Sequence, residues 1–180
     1  MAAILGLDLE AVRAVAEEAA QGEVCQAAND NDPTQVVVSG AKSAVERAAE
    51  IAKEKGAKRA VMLPVSAPFH CALMQPAADA MAEALAGVTI NAPAVPVIAN
   101  VRAEAVSDPD TIRQLLVEQV TGSVRWRESV QYMAAQGVTE AWEIGAGKAL
   151  SGMIRKIDRS IASKAVGTPE DVQKVAQGDA

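Results

Sequence analysis

One histidine, His70, stands in this chain of 180 residues, and histidine is the side chain that exchanges a proton near neutral pH without help from its surroundings. It lies in Val65-Ser66-Ala67-Pro68-Phe69-His70-Cys71, between a short apolar run and an amphipathic stretch. That is a strand-to-helix loop, the place where sheet enzymes carry reactive groups. By residue type alone it reads either as a general acid and base or as a histidine filling a polar gap.

Other chemistry is sparse. Cys25 and Cys71 are far apart, without C-x-x-C spacing, and one histidine cannot complete a zinc set with them, so reduced thiols and no metal are expected. Gly145-Ala146-Gly147-Lys148 looks phosphate-like, but a Walker loop needs Gly at 142 and Ser or Thr at 149, where Trp142 and Ala149 stand. It reads as a tight strand-to-helix turn. None of the nine serines lies in a G-x-S-x-G setting, so the chain shows no nucleophile elbow of its own.

The elements that would position His70 follow from periodicity and punctuation. Residues 1–65 read as strand, helix, two strands, helix and strand. A strand over 2–7 precedes a helix capped by Asp8, with Leu9, Val12, Ala16 and Ala19 at helical spacing. Strands over 24–28 and 35–39 flank the turn-rich run 29–33; a helix over 41–55 ends at Gly56, and a strand covers 60–63. That order predicts a ferredoxin-like split unit, two helices on a four-stranded antiparallel sheet.

Beyond Pro64 the expectation is a helix over 73–85 and a strand over 96–99. A helix begun by Asp108-Pro109 follows, with Ile112, Leu115, Leu116 and Val120 inward. Next come a helix over 128–136, a strand over 138–144, a helix through Arg155, a strand over 162–166 and a helix begun at Thr168-Pro169. Alternating strands and helices predict a parallel sheet, with too few strands to be covered on both faces, like one end of a larger sheet.

Bulk composition narrows the class. Half the residues are hydrophobic, yet the aromatics are only two Trp, one Tyr and one Phe, so a core of small aliphatic side chains in an α/β architecture is expected. A net charge of −6 without a basic run argues against a nucleic-acid partner. The N-terminus has no basic region or cleavage signature, and no stretch is long enough to cross a bilayer, so a cytoplasmic protein is expected.

Four segments, in order, carry a resemblance: NDNDPTQVVVSG from Asn29, SAPFHCALM from Ser66, PVIANV from Pro96 and EIGAGKAL from Glu143. Together they make the chain similar to the C-terminal part of the malonyl-CoA:acyl-carrier-protein transacylase family. The resemblance implies two domains: a ferredoxin-like subdomain over 1–65, and over 66–180 the C-terminal part of an α/β-hydrolase-like acyltransferase domain. It implies transfer of malonyl from malonyl-CoA to the phosphopantetheine thiol of acyl carrier protein through an acyl-serine, with His70 as general base and acid and no cofactor beyond the substrates.

The resemblance also makes Gln119 the backbone carbonyl that orients the imidazole, where the residue type alone reads equally as a polar end to a helix. Phe69 falls at a position that selects the acyl group, its other reading being a core anchor for the following helix. Asn29, Asn31 and Gln35 match a loop beside the substrate cleft, whereas Asp30 and Asp32 read as turn residues. Arg125, Arg127, Lys148, Arg155, Lys156 and Arg159 are candidates to face the acidic carrier protein.

In the family the serine, a malonyl-binding arginine and an oxyanion-hole glutamine come from an N-terminal segment that would precede Met1. A truncated chain, inactive alone and with apolar edges exposed, is therefore expected. Two other readings stay open: a noncatalytic ferredoxin-like module that binds a ligand or partner, and an acyltransferase of polyketide synthesis.

Overall fold

A computed structural model describes residues 1–177. The described residues form two compact units, 1–129 and 130–177.

The first unit opens with β1 (Ala2–Leu5), α1 (Leu9–Ala20), β2 (Cys25–Asp32), β3 (Gln35–Gly40), α2 (Lys42–Glu54) and β4 (Arg59–Met62). The sheet order is β2-β3-β1-β4, and every neighbouring pair is antiparallel. Val12, Val15, Ala16 and Ala19 recur at three- and four-residue spacing on α1, and Ala44, Val45, Ala48 and Ala52 do so on α2. These stripes bury against Ala2, Ile4, Val36 and Val38 of the sheet. Alanine at so many contact positions brings helix and sheet backbones close together, which is how a core forms with almost no aromatic side chains.

The helix ends are closed individually. Asp8 accepts from the Ala11 N–H at 2.8 Å and caps α1. At the other end Arg47 of α2 donates to the Ala19 and Ala20 carbonyls, at 2.9 and 3.1 Å, satisfying groups that have no partner within the helix. Gly40 ends β3 against the Val24 carbonyl; a Cβ there would stand 1.9 Å from that oxygen, so no other residue fits.

The rest of the unit comprises a 3₁₀ turn (Ala72–Met74), α3 (Gln75–Ala86), β5 (Val97–Ala99), β6 (Glu104–Val106) and α4 (Pro109–Thr121). α4 packs on α3 and on the 3₁₀ turn. Arg113 of α4 donates to the Leu85 carbonyl and, at 2.8 Å, to the Val88 carbonyl, closing the end of α3. α5 (Trp126–Ala135) follows.

The second unit contains β7 (Glu140–Ile144), α6 (Ala149–Ile157), β8 (Ala162–Val166) and α7 (Pro169–Gln177). β7 and β8 pair in parallel from Glu140↔Ala162 to Ile144↔Val166. Glu143 accepts from the Leu150 and Ser151 N–H groups, at 3.1 and 2.8 Å, so a carboxylate from the strand caps α6. Ile144, at the end of β7, is 72% exposed.

The structure corrects the sequence expectations in four places. β2 runs through Asp32, so residues 29–32 are strand and not turn, because β3 pairs with them across two bulges. Residues 104–106 form a strand that periodicity did not show, three residues being too short to display a period. β5 pairs antiparallel with it, so among the named strands the parallel pair described is β7 with β8. On α4, Leu115 is buried but Leu116 is 48% exposed. The spacing 112–115–116–120 defines a stripe wider than the face that α4 buries.

Acid should loosen these caps. Hydrogen bonds to the ionised form hold five carboxyls below their usual range: Glu23 through the Ser43 hydroxyl and Arg47, Asp108 through the Thr111 hydroxyl and N–H, Glu143 through the Ser151 N–H, Asp158 through the Ser160 hydroxyl and N–H, and Asp171 through the Gly167 N–H and Thr168. A carboxyl depressed in the folded state contributes stability above its unfolded pKa and loses it as pH falls through the folded one. The melting temperature should therefore hold at neutral pH and fall progressively below about pH 4. Circular dichroism melts over that range check this, and Glu143→Gln should reduce the dependence on pH; a melting temperature unchanged down to about pH 2 contradicts the account.

Candidate active site

His70 sits two residues before the 3₁₀ turn with φ at +59°, a left-handed conformation that a residue bearing a Cβ adopts at a cost of about 1–3 kcal/mol. Its loop is tied locally by the Cys71 thiol, which is buried and donates to the Pro68 carbonyl at 3.1 Å. Strained backbone of this kind persists only where the surroundings determine it.

The ring is half-buried, and its Nδ1 lies 3.1 Å from the Gln119 carbonyl oxygen. A carbonyl only accepts, so Nδ1 must carry the proton, and in the neutral ring Nε2 is left as an unprotonated acceptor. Gln119 belongs to the last turn of α4, where carbonyls lack partners within the helix and carry the negative end of its dipole. The backbone of Gln119 therefore fixes the tautomer. Its side chain is engaged elsewhere, donating to the Gly122 carbonyl at 3.0 Å.

The segment after α4 is held against the four-stranded sheet. Asp30 N–H donates to the Val124 carbonyl at 2.9 Å and Val124 N–H to the Ala28 carbonyl at 2.8 Å, so Val124 runs parallel beside Asn29 as a one-residue extension of the sheet. Gly122 makes the approach possible, since a Cβ there would meet Val101 at 2.7 Å and the Glu118 carbonyl at 2.9 Å. Asp30, 1% exposed, accepts two 3.0 Å hydrogen bonds from Arg127 Nε and faces its Nη2 at 2.8 Å. The paired carboxylate raises the Arg127 pKa further above its ordinary value. Asp30 is thus a buried anion paired with a cation, not the turn residue its neighbours suggest, whereas Asp32 does accept from the Thr34 N–H and hydroxyl at 2.9 and 2.7 Å.

Of the residues singled out from sequence, His70 and Gln119 are in direct contact. Phe69 is 39% exposed, so its ring is not buried as a core anchor. Asn29 borders the Val124 extension, while Asn31 falls at a β2 bulge and Gln35 begins β3 opposite Asp32. These three are half-buried and make no side-chain hydrogen bond among the described residues. A cleft of about 200 Å³ adjoins Gln119, lined by β5, Val106 and the Ile112, Leu115 and Leu116 side chains of α4. Among the described residues no group of three His, Cys, Asp or Glu side chains could hold a metal, and no helix is long and apolar enough to cross a membrane.

Two contributors escaped the sequence reading. The Asp30–Arg127 pair joins residues 97 positions apart, and Gln26 donates no periodic signal yet accepts from the Ala72 N–H beside His70.

Removing Arg127 strands the buried carboxylate of Asp30. Arg127→Leu should lower unfolding free energy by about 2–4 kcal/mol, below the full cost of breaking a buried pair because Arg127 is 24% exposed. Urea denaturation measures this, and Asp30→Leu combined with Arg127→Leu should recover part of the loss; equal stability of wild type and Arg127→Leu contradicts it.

No protein-family model matches the chain. It is 50% identical over 169 residues to the malonyl CoA-acyl carrier protein transacylase of Escherichia coli K12, which covers 94% of this chain and 55% of that protein. Among solved structures, the acyl-carrier-protein S-malonyltransferase of Bartonella henselae superposes with a TM-score of 0.93 at 52% identity, over 98% of this chain and 56% of the other. A malonyl-transacylase solved in complex with a type II polyketide acyl-carrier protein superposes at 0.94 with 40% identity, over 98% and 57%. The chain thus spans little more than half the length of the relatives it matches, and along that span it is similar, in sequence and in α/β fold, to malonyl CoA-acyl carrier protein transacylases.

Proposed function

We propose that this chain carries the histidine half of a transacylase centre that moves malonyl from malonyl-CoA to the phosphopantetheine thiol of acyl carrier protein. The observation that carries the reading is the Nδ1 contact of His70 with the Gln119 carbonyl, which leaves Nε2 as a base. A serine hydroxyl presented to Nε2 would lose its proton as it attacks the malonyl thioester, and the imidazolium would then protonate the departing CoA thiolate. In the second half-reaction Nε2 takes the proton of the phosphopantetheine thiol and returns it to serine. The Gln119 carbonyl keeps the ring oriented through both transfers.

No serine of residues 1–180 stands in a G-x-S-x-G setting, so the reading calls for a segment that supplies one, together with groups for the malonyl carboxylate and the oxyanion. Phe69, exposed beside His70, would limit space around the acyl group and disfavour a branched unit; Asn29, Asn31 and Gln35 would line the cleft. No cofactor beyond the two substrates is required, and the cytoplasm is the compartment that suits free thiols at Cys25 and Cys71. The order β2-β3-β1-β4 with two helices supports a ferredoxin-like subdomain over 1–65; residues 66–180 are read as the C-terminal part of an α/β-hydrolase-like domain. The relative solved with a polyketide carrier protein supports a second reading, in which the carrier belongs to polyketide synthesis.

Malonyl transfer assayed with residues 1–180 alone should show no turnover. Joined to, or mixed with, the complementary N-terminal segment of a relative, the chain should turn over, and His70→Ala should then lower kcat by about 10²–10⁴-fold. Turnover by the lone chain, or a His70→Ala rate equal to that of the parent, sinks the proposal. With Val95 and Ile144 each 72% exposed, the lone chain should also self-associate in sedimentation velocity; a monomer at all concentrations contradicts this.

A further inference from the structure

Gln26 lies on β2 next to Cys25, whose side chain joins the helical core, and projects from the other face of the strand. Its Oε1 accepts from the Ala72 N–H at 2.8 Å. That N–H opens the 3₁₀ turn and has no partner within it, so the carboxamide acts as a cap delivered from 46 residues away. Ala72 is two residues beyond His70, whose backbone is left-handed. The loop's other ties differ in kind. Cys71 to Pro68 and Met74 to Cys71 are internal, and His70 to Gln119 is the contact that has to be maintained. Among the hydrogen bonds described for residues 66–74, the one that reaches the four-stranded sheet is that of Gln26.

We propose that Gln26 is a positioning residue: by fixing Ala72 to β2 it holds His70 in its left-handed conformation, keeps the ring on the Gln119 carbonyl and so selects the Nδ1–H tautomer. Without that tie the loop can relax toward ordinary backbone angles, which swings the ring off the carbonyl and lets the proton occupy either nitrogen. The requirement is for an acceptor oxygen of the right reach. A glutamate meets it; alanine and methionine do not. The consequence for catalysis rests on the transacylase reading, but the statement about the ring does not.

The test exploits the single histidine. In the ¹⁵N-labelled 180-residue chain, long-range ¹H–¹⁵N NMR at alkaline pH, with the imidazole neutral, yields one pair of ring nitrogens. The parent chain and Gln26→Glu should show a protonated Nδ1 and an unprotonated Nε2. In Gln26→Ala the two shifts should converge as the tautomers mix. Gln26→Met, of similar reach without the acceptor, should behave like the alanine variant and covers the case in which that variant does not fold. In the reconstituted enzyme the same variants should lower kcat at least tenfold with KM unchanged, and Gln26→Glu should restore it. Parent-like ring shifts in the folded alanine or methionine variant, even with a lowered melting temperature, reduce Gln26 to a stabilising contact and overturn the proposal. So does loss of the tautomer in folded Gln26→Glu. If His70→Ala leaves turnover intact, the transacylase reading fails while the ring measurement still decides the role of Gln26.

Discussion

The imidazole of His70 rests on a main-chain carbonyl, and much of the first unit is arranged so that this carbonyl is free and stationary. A helix interior has no such group to offer, because each carbonyl there already accepts from the residue four positions on. The last turn of α4 does, and Gln119 lies in it with its oxygen 3.1 Å from Nδ1. An orienting carboxylate would add a full negative charge beside the ring, whereas a helix end supplies a partial charge in a fixed direction. The geometry thus settles the tautomer without a second ionisable group.

Keeping that carbonyl in place involves residues that touch no candidate substrate. Gly122 permits the chain to turn back beside Val101, Val124 extends the sheet next to Asn29, and the Asp30–Arg127 pair locks β2 to the beginning of α5. A buried ion pair contributes little net stability compared with apolar packing, but a wrong register would leave Asp30 unpaired at high cost. Its contribution here is to specify where the segment after α4 runs along β2. The small sheet therefore serves as an anchor for two loops, one reached through Gln26 and one through Val124.

Exposure of apolar groups has a different basis in each unit. Around β5 and α4 an apolar cleft opens beside Gln119, while in the second unit β7 carries Trp142 and Ile144 to the surface of a two-stranded sheet. Parallel strands are normally covered on both faces because their crossover helices lie there. In this parallel pair Trp142 and Ile144 leave apolar side chains exposed beside the two glutamates of β7.

Much of this molecule was determined by local sequence. Helical spacing at Val12, Ala16 and Ala19, the caps at Asp8 and Asp108, and the β-branched run Val36 to Val38 each depend on a few neighbouring residues, and most elements fall where those signals place them. The segment around His70 was distinctive enough to suggest a family before any fold was known. Tertiary structure alone decided the rest: that β2 continues through the polar run to Asp32, that Leu116 faces outward, that Asp30 is a buried ion and that Gln26 caps a turn 46 residues away. Those outcomes depend on which distant backbone groups need a partner once the chain is compact, and periodicity, which reports only on neighbours, carries no information about them.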